Sequence, residues 1–163
     1  ANLVKAGHEV HAFDLAEEAL GRAAENGCPT YTAVREAVAG VDAVVSMLPN
    51  GAIVDKVYAE DVIGHAPKGA VLLDCSTIDV ATAKKVVEAA TAAGYEAVDA
   101  PVSGGIAAAN AGTLTFMAGG SADAFAKAAP VFEKLSADVQ FQVAQRMRDR
   151  NAAMSLSTIA GAR

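Results

Sequence analysis

Ser103, Gly104 and Gly105 follow an apolar run and place one hydroxyl beside two successive glycines. Glycines let backbone amides approach an anion closely, and a serine hydroxyl adds a third hydrogen-bond donor. These residue types could together hold the carboxylate of a small substrate. Because Ser-Gly-Gly also occurs in ordinary loops, its role depends on the elements that surround it.

Asp14 is a second residue with possible chemistry, at the end of a predicted strand. A carboxylate there can accept hydrogen bonds from the ribose hydroxyls of an adenine dinucleotide, and its charge would repel a 2′-phosphate, which favours NAD over NADP. The same residue could instead cap the helix that follows. On the residue alone the two interpretations are evenly balanced.

Two further turns follow predicted strands. Leu48 and Pro49 could line the wall of a nucleotide pocket, because proline bends the chain out of the strand, or they could form a plain turn. Thr77 could face a ligand, or Ser76 and Thr77 could cap the next helix with Asp79 in its first turn.

Apolar runs alternate with helical patterns along the chain, joined by short loops. Strands are predicted at 9–14, 42–48, 70–74, 97–99, 113–118 and 139–143, and helices at 1–6, 15–26, 33–39, 81–93 and 122–135. The 42–48 run is apolar on both faces, which is typical of a strand in a parallel sheet covered by helices. The alternation predicts an α/β fold with a doubly wound, mostly parallel sheet. In such sheets ligands bind beyond the carboxyl ends of the strands, where the residues described above lie.

Composition excludes several classes of function. The 163 residues, 53% hydrophobic with a net charge of −6, favour one soluble globular domain and argue against a nucleic-acid partner. No apolar run is long enough to cross a membrane. Cys28 and Cys75 are interpreted as free thiols, and the three histidines lack the spacing of a metal site, so no metal is expected.

Five segments together resemble the β-hydroxyacid dehydrogenase family. They occur in the family's order and spacing: ANLVKAGH at 1–8, MLP at 47–49, DCSTID at 74–79, DAPVSGG at 99–105 and GTLTFMAGG at 112–120. The resemblance covers roughly residues 1–137 and is specific as a set, since several unrelated loops agree at once.

The resemblance implies a Rossmann-like sheet that lacks the family's first strand and its glycine-rich phosphate loop. It divides the chain into an incomplete NAD-binding domain at 1–137 and a divergent tail at 138–163, without the family's C-terminal helical domain. The family's catalytic lysine has no counterpart, because no lysine follows Lys134. Lys127 and Lys134 are interpreted as surface charges, so no catalytic residue is assigned, and this chain alone is expected to be inactive.

The family's activity is NAD-dependent oxidation of a small β-hydroxyacid, so the expected cofactor is NAD. The expected substrate is 3-hydroxyisobutyrate, oxidised to methylmalonate semialdehyde in valine catabolism; tartronate semialdehyde reduction and a non-catalytic nucleotide-binding module are the alternatives. The implied cofactor contacts are Asp14, Leu48, Pro49 and Thr77, and the implied substrate contacts are Ser103, Gly104 and Gly105. Full-length members are expected to be homo-oligomers in the cytoplasm or, in eukaryotes, the mitochondrial matrix.

Overall fold

The fold is described by a computed structural model that covers residues 1–136 and 138–143. The helices are α1 Asn2–Lys5, α2 Glu17–Glu25, α3 Val34–Ala37, α4 Gly51–Val57, α5 Val80–Ala92, α6 Gly105–Ala111 and α7 Ala122–Leu135, and a π-helical turn, Tyr58–Val62, continues α4. The strands are β1 Ala43–Ser46, β2 Val71–Asp74, β3 Glu96–Asp99, β4 Val102–Ser103, β5 Thr115–Gly120 and β6 Asp138–Val143. The predicted tail beyond residue 143 lies outside the described residues.

The predicted α/β sheet is confirmed, with the strand order β1-β2-β3-β5-β4 and β6 paired to β5. Strands β1, β2 and β3 are parallel, and β5 and β6 are parallel to each other. The sequence did not indicate that β5 runs antiparallel to β3. The sheet is therefore mixed, and its parallel part contains the strands that end near the candidate site.

Two apolar clusters cover the two faces of the sheet. Leu72 packs in the cluster that includes Val86 of α5, whereas Val71 and Leu73 pack in the cluster that includes Phe132 of α7. Neighbouring residues of a strand point to opposite faces, so α5 and α7 lie on opposite sides of β2. Among the described residues no helix is both long and apolar enough to cross a membrane.

The predicted strand at 9–14 is wrong. Only Ala12 pairs, in an isolated parallel bridge with Thr30. A strand needs a continuous ladder to a neighbour, and apolar pattern alone does not supply one. The predicted burial of 42–48 on both faces is also incorrect, because Val45 is 42% exposed and Met47 is 61% exposed.

Candidate functional site

The ends of β1, β2 and β3 lie side by side. The parallel register pairs Ser46 with Asp74 and Asp74 with Asp99, so the last residues of the three strands form one row. The turns that follow them therefore leave the sheet from the same edge. In sheets of this kind ligands bind beyond this carboxyl edge.

Asp74 is the centre of a buried hydrogen-bond network at this edge. Its side chain is buried, and its Oδ1 accepts from the Ser76 hydroxyl at 2.6 Å, the Ser46 hydroxyl at 2.8 Å and the Ser76 amide at 3.2 Å. A buried carboxylate is costly unless it is hydrogen-bonded, and these three donors satisfy one of its oxygens. Asp74 therefore links the last residue of β1 to the turn after β2.

Ser76 extends this network to the first turn. The Leu48 amide donates to the Ser76 hydroxyl oxygen at 2.8 Å, while that hydroxyl donates to Asp74. The backbone position of Leu48 is thus determined by a side chain 28 residues further along the chain. Ser76 consequently supports one of the predicted cofactor contacts rather than capping a helix.

The helix after β2 is capped by a different residue. Asp79 is the N-cap of α5, and its Oδ1 accepts from the Thr82 amide at 2.9 Å. Hydrogen bonds from Thr82 lower the pKa of Asp79, which keeps the cap ionised. The alternative in which Ser76 and Thr77 cap this helix is therefore wrong. The side chain of Thr77 is exposed, and it forms no hydrogen bond within the described part of the chain.

Tyr58 was not identified from the sequence, yet it belongs to the same network. Its hydroxyl lies 2.9 Å from the Ser46 hydroxyl, and its side chain is buried. Burial raises the pKa of Tyr58, and the charge of Asp74 acts in the same direction, so the phenol stays neutral. The only sequence signal was a tyrosine inside an amphipathic helical stretch, which does not identify a polar contact.

Asp14 lies beside the first turn, on a cavity that it shares with Leu48 and Pro49. Its Oδ1 accepts from the Ala16 amide at 2.8 Å, just before α2, whose N-cap is Ala16. Asp14 therefore stabilises the entry to α2 with one oxygen without being its N-cap. The side chain is exposed, and its other oxygen has no partner among the described residues. That oxygen is available to a ligand.

Ser103, Gly104 and Gly105 connect the end of β4 to the start of α6. Ser103 pairs with Thr115 as the end of β4, and Gly104 has φ 129° and Gly105 φ 68°. A Cβ on Gly104 would lie 2.6 Å from the Cβ of Ala108, so the backbone itself requires glycine there. All three residues are exposed. They do not line the cavity of Asp14, Leu48 and Pro49, and neither does Thr77.

Asp99 occupies the third place in the row of strand ends. Burial, and then the charge of Asp74, raise the pKa of Asp99 to about 7. The Ala100 amide donates to the Asp74 carbonyl at 2.7 Å, which ties the start of the next turn to β2. Asp99 thus carries a proton for part of the time at neutral pH, next to the segment that leads to Ser103.

Two lysines of α7 were interpreted from the sequence as surface charges. Lys127 and Lys134 are both exposed, as expected, although Lys127 also lines the cavity of Asp14. Within the described ranges, no group of three His, Cys, Asp or Glu residues is placed to hold a metal ion.

Comparison with known proteins decides the family. The family model for the NAD-binding domain of 6-phosphogluconate dehydrogenase matches residues 1–145. The chain belongs to this family of NAD-binding domains. The arrangement of the site fits NAD, because the exposed carboxylate of Asp14 and the apolar turn of Leu48 and Pro49 line one cavity at the carboxyl edge of the sheet.

Individual relatives of this NAD-binding domain are dehydrogenases. It is 43% identical over 141 residues to a 3-hydroxyisobutyrate dehydrogenase of Pseudomonas aeruginosa, covering 85% of this chain and 47% of that protein. It is also 43% identical over 140 residues to an NAD-dependent L-serine dehydrogenase of the same organism, with the same coverage. The chain therefore spans about half the length of these relatives.

A solved structure shows the same likeness. The 3-hydroxyisobutyrate dehydrogenase of Mycobacterium tuberculosis, described with L-serine, superposes with a TM-score of 0.84 at 40% identity, covering 88% of this chain and 49% of that chain. The resemblance to NAD-dependent hydroxyacid dehydrogenases noted from the five sequence segments is thus confirmed.

Proposed function

We propose that this chain provides the NAD-binding part of a dehydrogenase that oxidises 3-hydroxyisobutyrate to methylmalonate semialdehyde. The observation that carries the proposal is the shared cavity of Asp14, Leu48 and Pro49 at the carboxyl edge of the sheet. The similarity to 3-hydroxyisobutyrate dehydrogenases supports the choice of substrate. The domain assignment, an NAD-binding unit at 1–137 followed by a tail at 138–163, belongs to the same proposal.

Each proposed cofactor contact has a distinct task. The free oxygen of Asp14 accepts hydrogen bonds from the ribose hydroxyls, and its charge disfavours a 2′-phosphate. Leu48 and Pro49 contribute apolar surface, held in place through Ser76. The exposed hydroxyl of Thr77 is available to hydrogen-bond the ligand. NAD, when bound, supplies the acceptor for the hydride that leaves the substrate.

The substrate carboxylate is assigned to the start of α6. The Ser103 hydroxyl forms no hydrogen bond within the described residues, and the left-handed backbone at Gly104 and Gly105 exposes amide groups beside it. These donors can hold an anion without a nearby cation.

Calorimetric titration of the full chain tests the cofactor assignment. We expect NAD to bind and NADP to bind at least about tenfold more weakly, because the Asp14 carboxylate repels a 2′-phosphate. Asp14→Ala should weaken NAD binding, whereas Glu17→Ala, an exposed carboxylate in the first turn of α2, should not. Equal NAD affinity of Asp14→Ala and wild type would overturn the assignment of Asp14.

L-Serine is a second candidate substrate. It is also a β-hydroxyacid, and a relative named NAD-dependent L-serine dehydrogenase is as similar to the chain as the 3-hydroxyisobutyrate enzyme. Titration of the NAD-saturated chain with each acid separates the two. Ser103→Ala should weaken binding of the true ligand, while Thr91→Ala, which removes an exposed hydroxyl near the end of α5, should leave it unchanged. Equal affinity of the Ser103→Ala variant and the wild type for both acids would contradict the assignment of Ser103 to the substrate.

A further inference from the structure

A hydrogen bond joins the two sides of the turn that carries the proposed cofactor contacts Leu48 and Pro49. Ser46 is the last residue of β1, just before the turn, and Tyr58 begins the π-helical turn that continues α4. The hydroxyl oxygens of these two side chains are 2.9 Å apart. Because the two residues are 12 positions apart in the chain, their contact closes a loop that contains both proposed contacts.

The direction of this hydrogen bond follows from the other partners of Ser46. The Ser46 hydroxyl lies 2.8 Å from Asp74 Oδ1 and 3.4 Å from the Leu73 carbonyl oxygen, and both of these groups can only accept. Ser46 therefore gives its single proton to one of them, and the Tyr58 hydroxyl donates to Ser46. Burial raises the pKa of Tyr58, so the phenol retains the proton that it donates.

Asp74 connects this contact to the middle of the turn. Its Oδ1 accepts from the Ser46 hydroxyl and from the Ser76 hydroxyl, and the Leu48 amide donates to the Ser76 oxygen at 2.8 Å. Buried networks of this kind are worth more than the sum of their separate hydrogen bonds. The turn is thus held at its start, at its middle and, through Tyr58, on the helix that leaves it.

Tyr58 lies in a helical segment of unusual geometry. The Ile63 amide donates to the Tyr58 carbonyl at 2.9 Å, five residues back, where an α-helix would bond four residues back. Such π turns are rare and occur frequently at functional sites. The Tyr58 side chain is 2% exposed and belongs to the first apolar cluster. A phenylalanine could fill that apolar space, so the hydroxyl is needed for the hydrogen bond to Ser46.

The other contacts of α4 do not hold it to the sheet. Lys85 of α5 forms an ion pair with Asp55 of α4 at 2.7 Å, but both side chains are partly exposed, and such pairs contribute little to stability. Asn50 caps α4 locally by accepting from the Ile53 amide at 3.0 Å. The buried hydrogen bond of Tyr58 is the contact that joins this helix to the end of β1.

We propose that Tyr58 is a positioning residue for the turn that binds NAD. Its hydroxyl, acting through Ser46, holds Leu48 and Pro49 in the geometry that accepts the cofactor. This inference rests on the proposed function, in which the turn is assigned to NAD. It adds that NAD affinity depends on a buried hydroxyl whose residue does not line the cavity shared by Leu48 and Pro49.

Calorimetric titration of the full chain with NAD compares two tyrosine variants. Tyr58→Phe keeps the ring and removes the hydroxyl, and we expect NAD to bind about three- to tenfold more weakly. Tyr95→Phe is the matched control, because Tyr95 belongs to the same apolar cluster but its hydroxyl bonds Ala66 and Gly64. It should lower stability and change NAD affinity less than about twofold. Equal losses of NAD affinity in the two variants would indicate a merely structural role for Tyr58 and overturn the proposal.

A double-mutant cycle tests whether Tyr58 acts through Ser46. Ser46→Ala removes the acceptor of the phenol, so it should also weaken NAD binding. In that background Tyr58→Phe should change the NAD dissociation constant less than about twofold, because the hydroxyl has already lost its partner. Urea unfolding verifies that each variant folds. An undiminished effect of Tyr58→Phe beside Ser46→Ala would overturn the proposed route.

Hydrogen exchange of the Leu48 amide, measured by NMR, gives a readout that needs no ligand. The amide should exchange at least about fivefold faster in Tyr58→Phe than in the wild type, and within about twofold of the wild-type rate in Tyr95→Phe. Ser76→Ala removes the acceptor of this amide and should give the fastest exchange. An unchanged Leu48 rate in Tyr58→Phe would overturn the proposal.

The outcomes distinguish this inference from the proposed function. If the wild-type chain does not bind NAD, the proposed function fails, and the exchange rate of Leu48 still decides whether Tyr58 holds the turn. If NAD binds the wild type and Tyr58→Phe with equal affinity, the proposed function stands and the positioning role of Tyr58 is overturned.

Discussion

The Ser76 hydroxyl lies 2.6 Å from the Asp74 carboxylate to which it donates, and the same hydroxyl accepts the Leu48 amide at 2.8 Å. One buried carboxylate thereby holds the turns after β1 and β2 together. Since a hydroxyl that donates to a carboxylate becomes a better acceptor, the two bonds strengthen each other. The position of the proposed cofactor contact Leu48 thus depends on two side chains that do not themselves contact the ligand.

Replacing Asp74 tests this network. Asp74→Ala leaves the donors of Ser46 and Ser76 without an acceptor in a buried site, and we expect the free energy of unfolding to fall by about 3 kcal/mol or more. Asp74→Asn keeps an acceptor oxygen and should cost less, about 1 kcal/mol. Urea unfolding at pH 7 measures both, with Asp42→Ala at an exposed position as the control. Equal losses for the Asn and Ala variants would argue against an acceptor role.

The raised pKa of Asp99 predicts that the free energy of unfolding depends on pH. Its pKa is raised to about 7 by burial and by Asp74, against about 3.9 in an unfolded chain. Between about pH 4 and pH 7 the folded chain holds a proton that the unfolded chain has released, so the free energy of unfolding falls as pH rises through this window. The total change is at most about 4 kcal/mol.

Asp99→Asn should remove this part of the slope, since asparagine does not titrate. Urea unfolding at several pH values from 4 to 8 compares the variant with wild type. Asp42→Asn, at an exposed position, should keep the wild-type slope. A variant slope that matches wild type would show that Asp99 does not titrate in this range.

Substitution by alanine should reduce the stability of the fold more at Gly104 than at Gly105. Gly104 has φ 129°, and an added Cβ would meet the Cβ of Ala108 at 2.6 Å, so we expect a loss of about 2–3 kcal/mol. Gly105 has φ 68° and open space around it, so only the backbone cost of about 1 kcal/mol applies. Thermal unfolding of the two variants gives the comparison. The reverse order of stability would contradict the described backbone at this turn.

Replacing Tyr95 tests two buried hydrogen bonds that lie away from the candidate site. Its hydroxyl donates to the Ala66 carbonyl at 2.8 Å and accepts the Gly64 amide at 3.0 Å, with the side chain buried. Tyr95→Phe leaves both groups unpaired, and we expect a loss of about 2 kcal/mol in urea unfolding. The control is Tyr31→Phe, whose half-buried hydroxyl lies 3.4 Å from the His11 ring, and it should change stability by less than about 0.5 kcal/mol.

Cys75 should resist alkylation in the folded chain. Burial, followed by the charges of Asp74 and Asp99, raises the pKa of its thiol to about 12. The reactive thiolate is therefore nearly absent at pH 8. Mass spectrometry after iodoacetamide treatment should find Cys75 unmodified without urea and modified in urea. Rapid modification of Cys75 without urea would show that this part of the core opens.

Sequence features that involve only neighbouring residues correctly predicted several helices and strands. The helix expected at 122–135 is α7, with Ser121 as its N-cap, because a capping serine and an apolar periodicity are properties of consecutive residues. The strand expected at 70–74 is β2, whose residues are buried throughout. The strand expected at 9–14 failed because pairing depends on a neighbour that local pattern does not specify.

For the candidate site, too, the sequence predicted some features and only the structure showed the others. Asp14, Leu48, Pro49 and Thr77 became candidates because they follow predicted strands, the family resemblance supported them, and they remain proposals. Sequence alone did not indicate that the first three share a cavity while Thr77 lies outside it. It also did not identify Asp74, since the donor hydroxyl of Ser46 is 28 residues away along the chain.

By itself, the sequence determined the family, the order of the elements and the turns that could bind ligands, because these follow from neighbouring residues and their spacing. Only the tertiary structure decided that β5 runs antiparallel to β3, that Asp74 links the turns after β1 and β2, and that Asp14, Leu48 and Pro49 share one cavity. The physical reason is that strand pairing and buried hydrogen bonds join residues far apart in the chain, where burial makes each partner necessary.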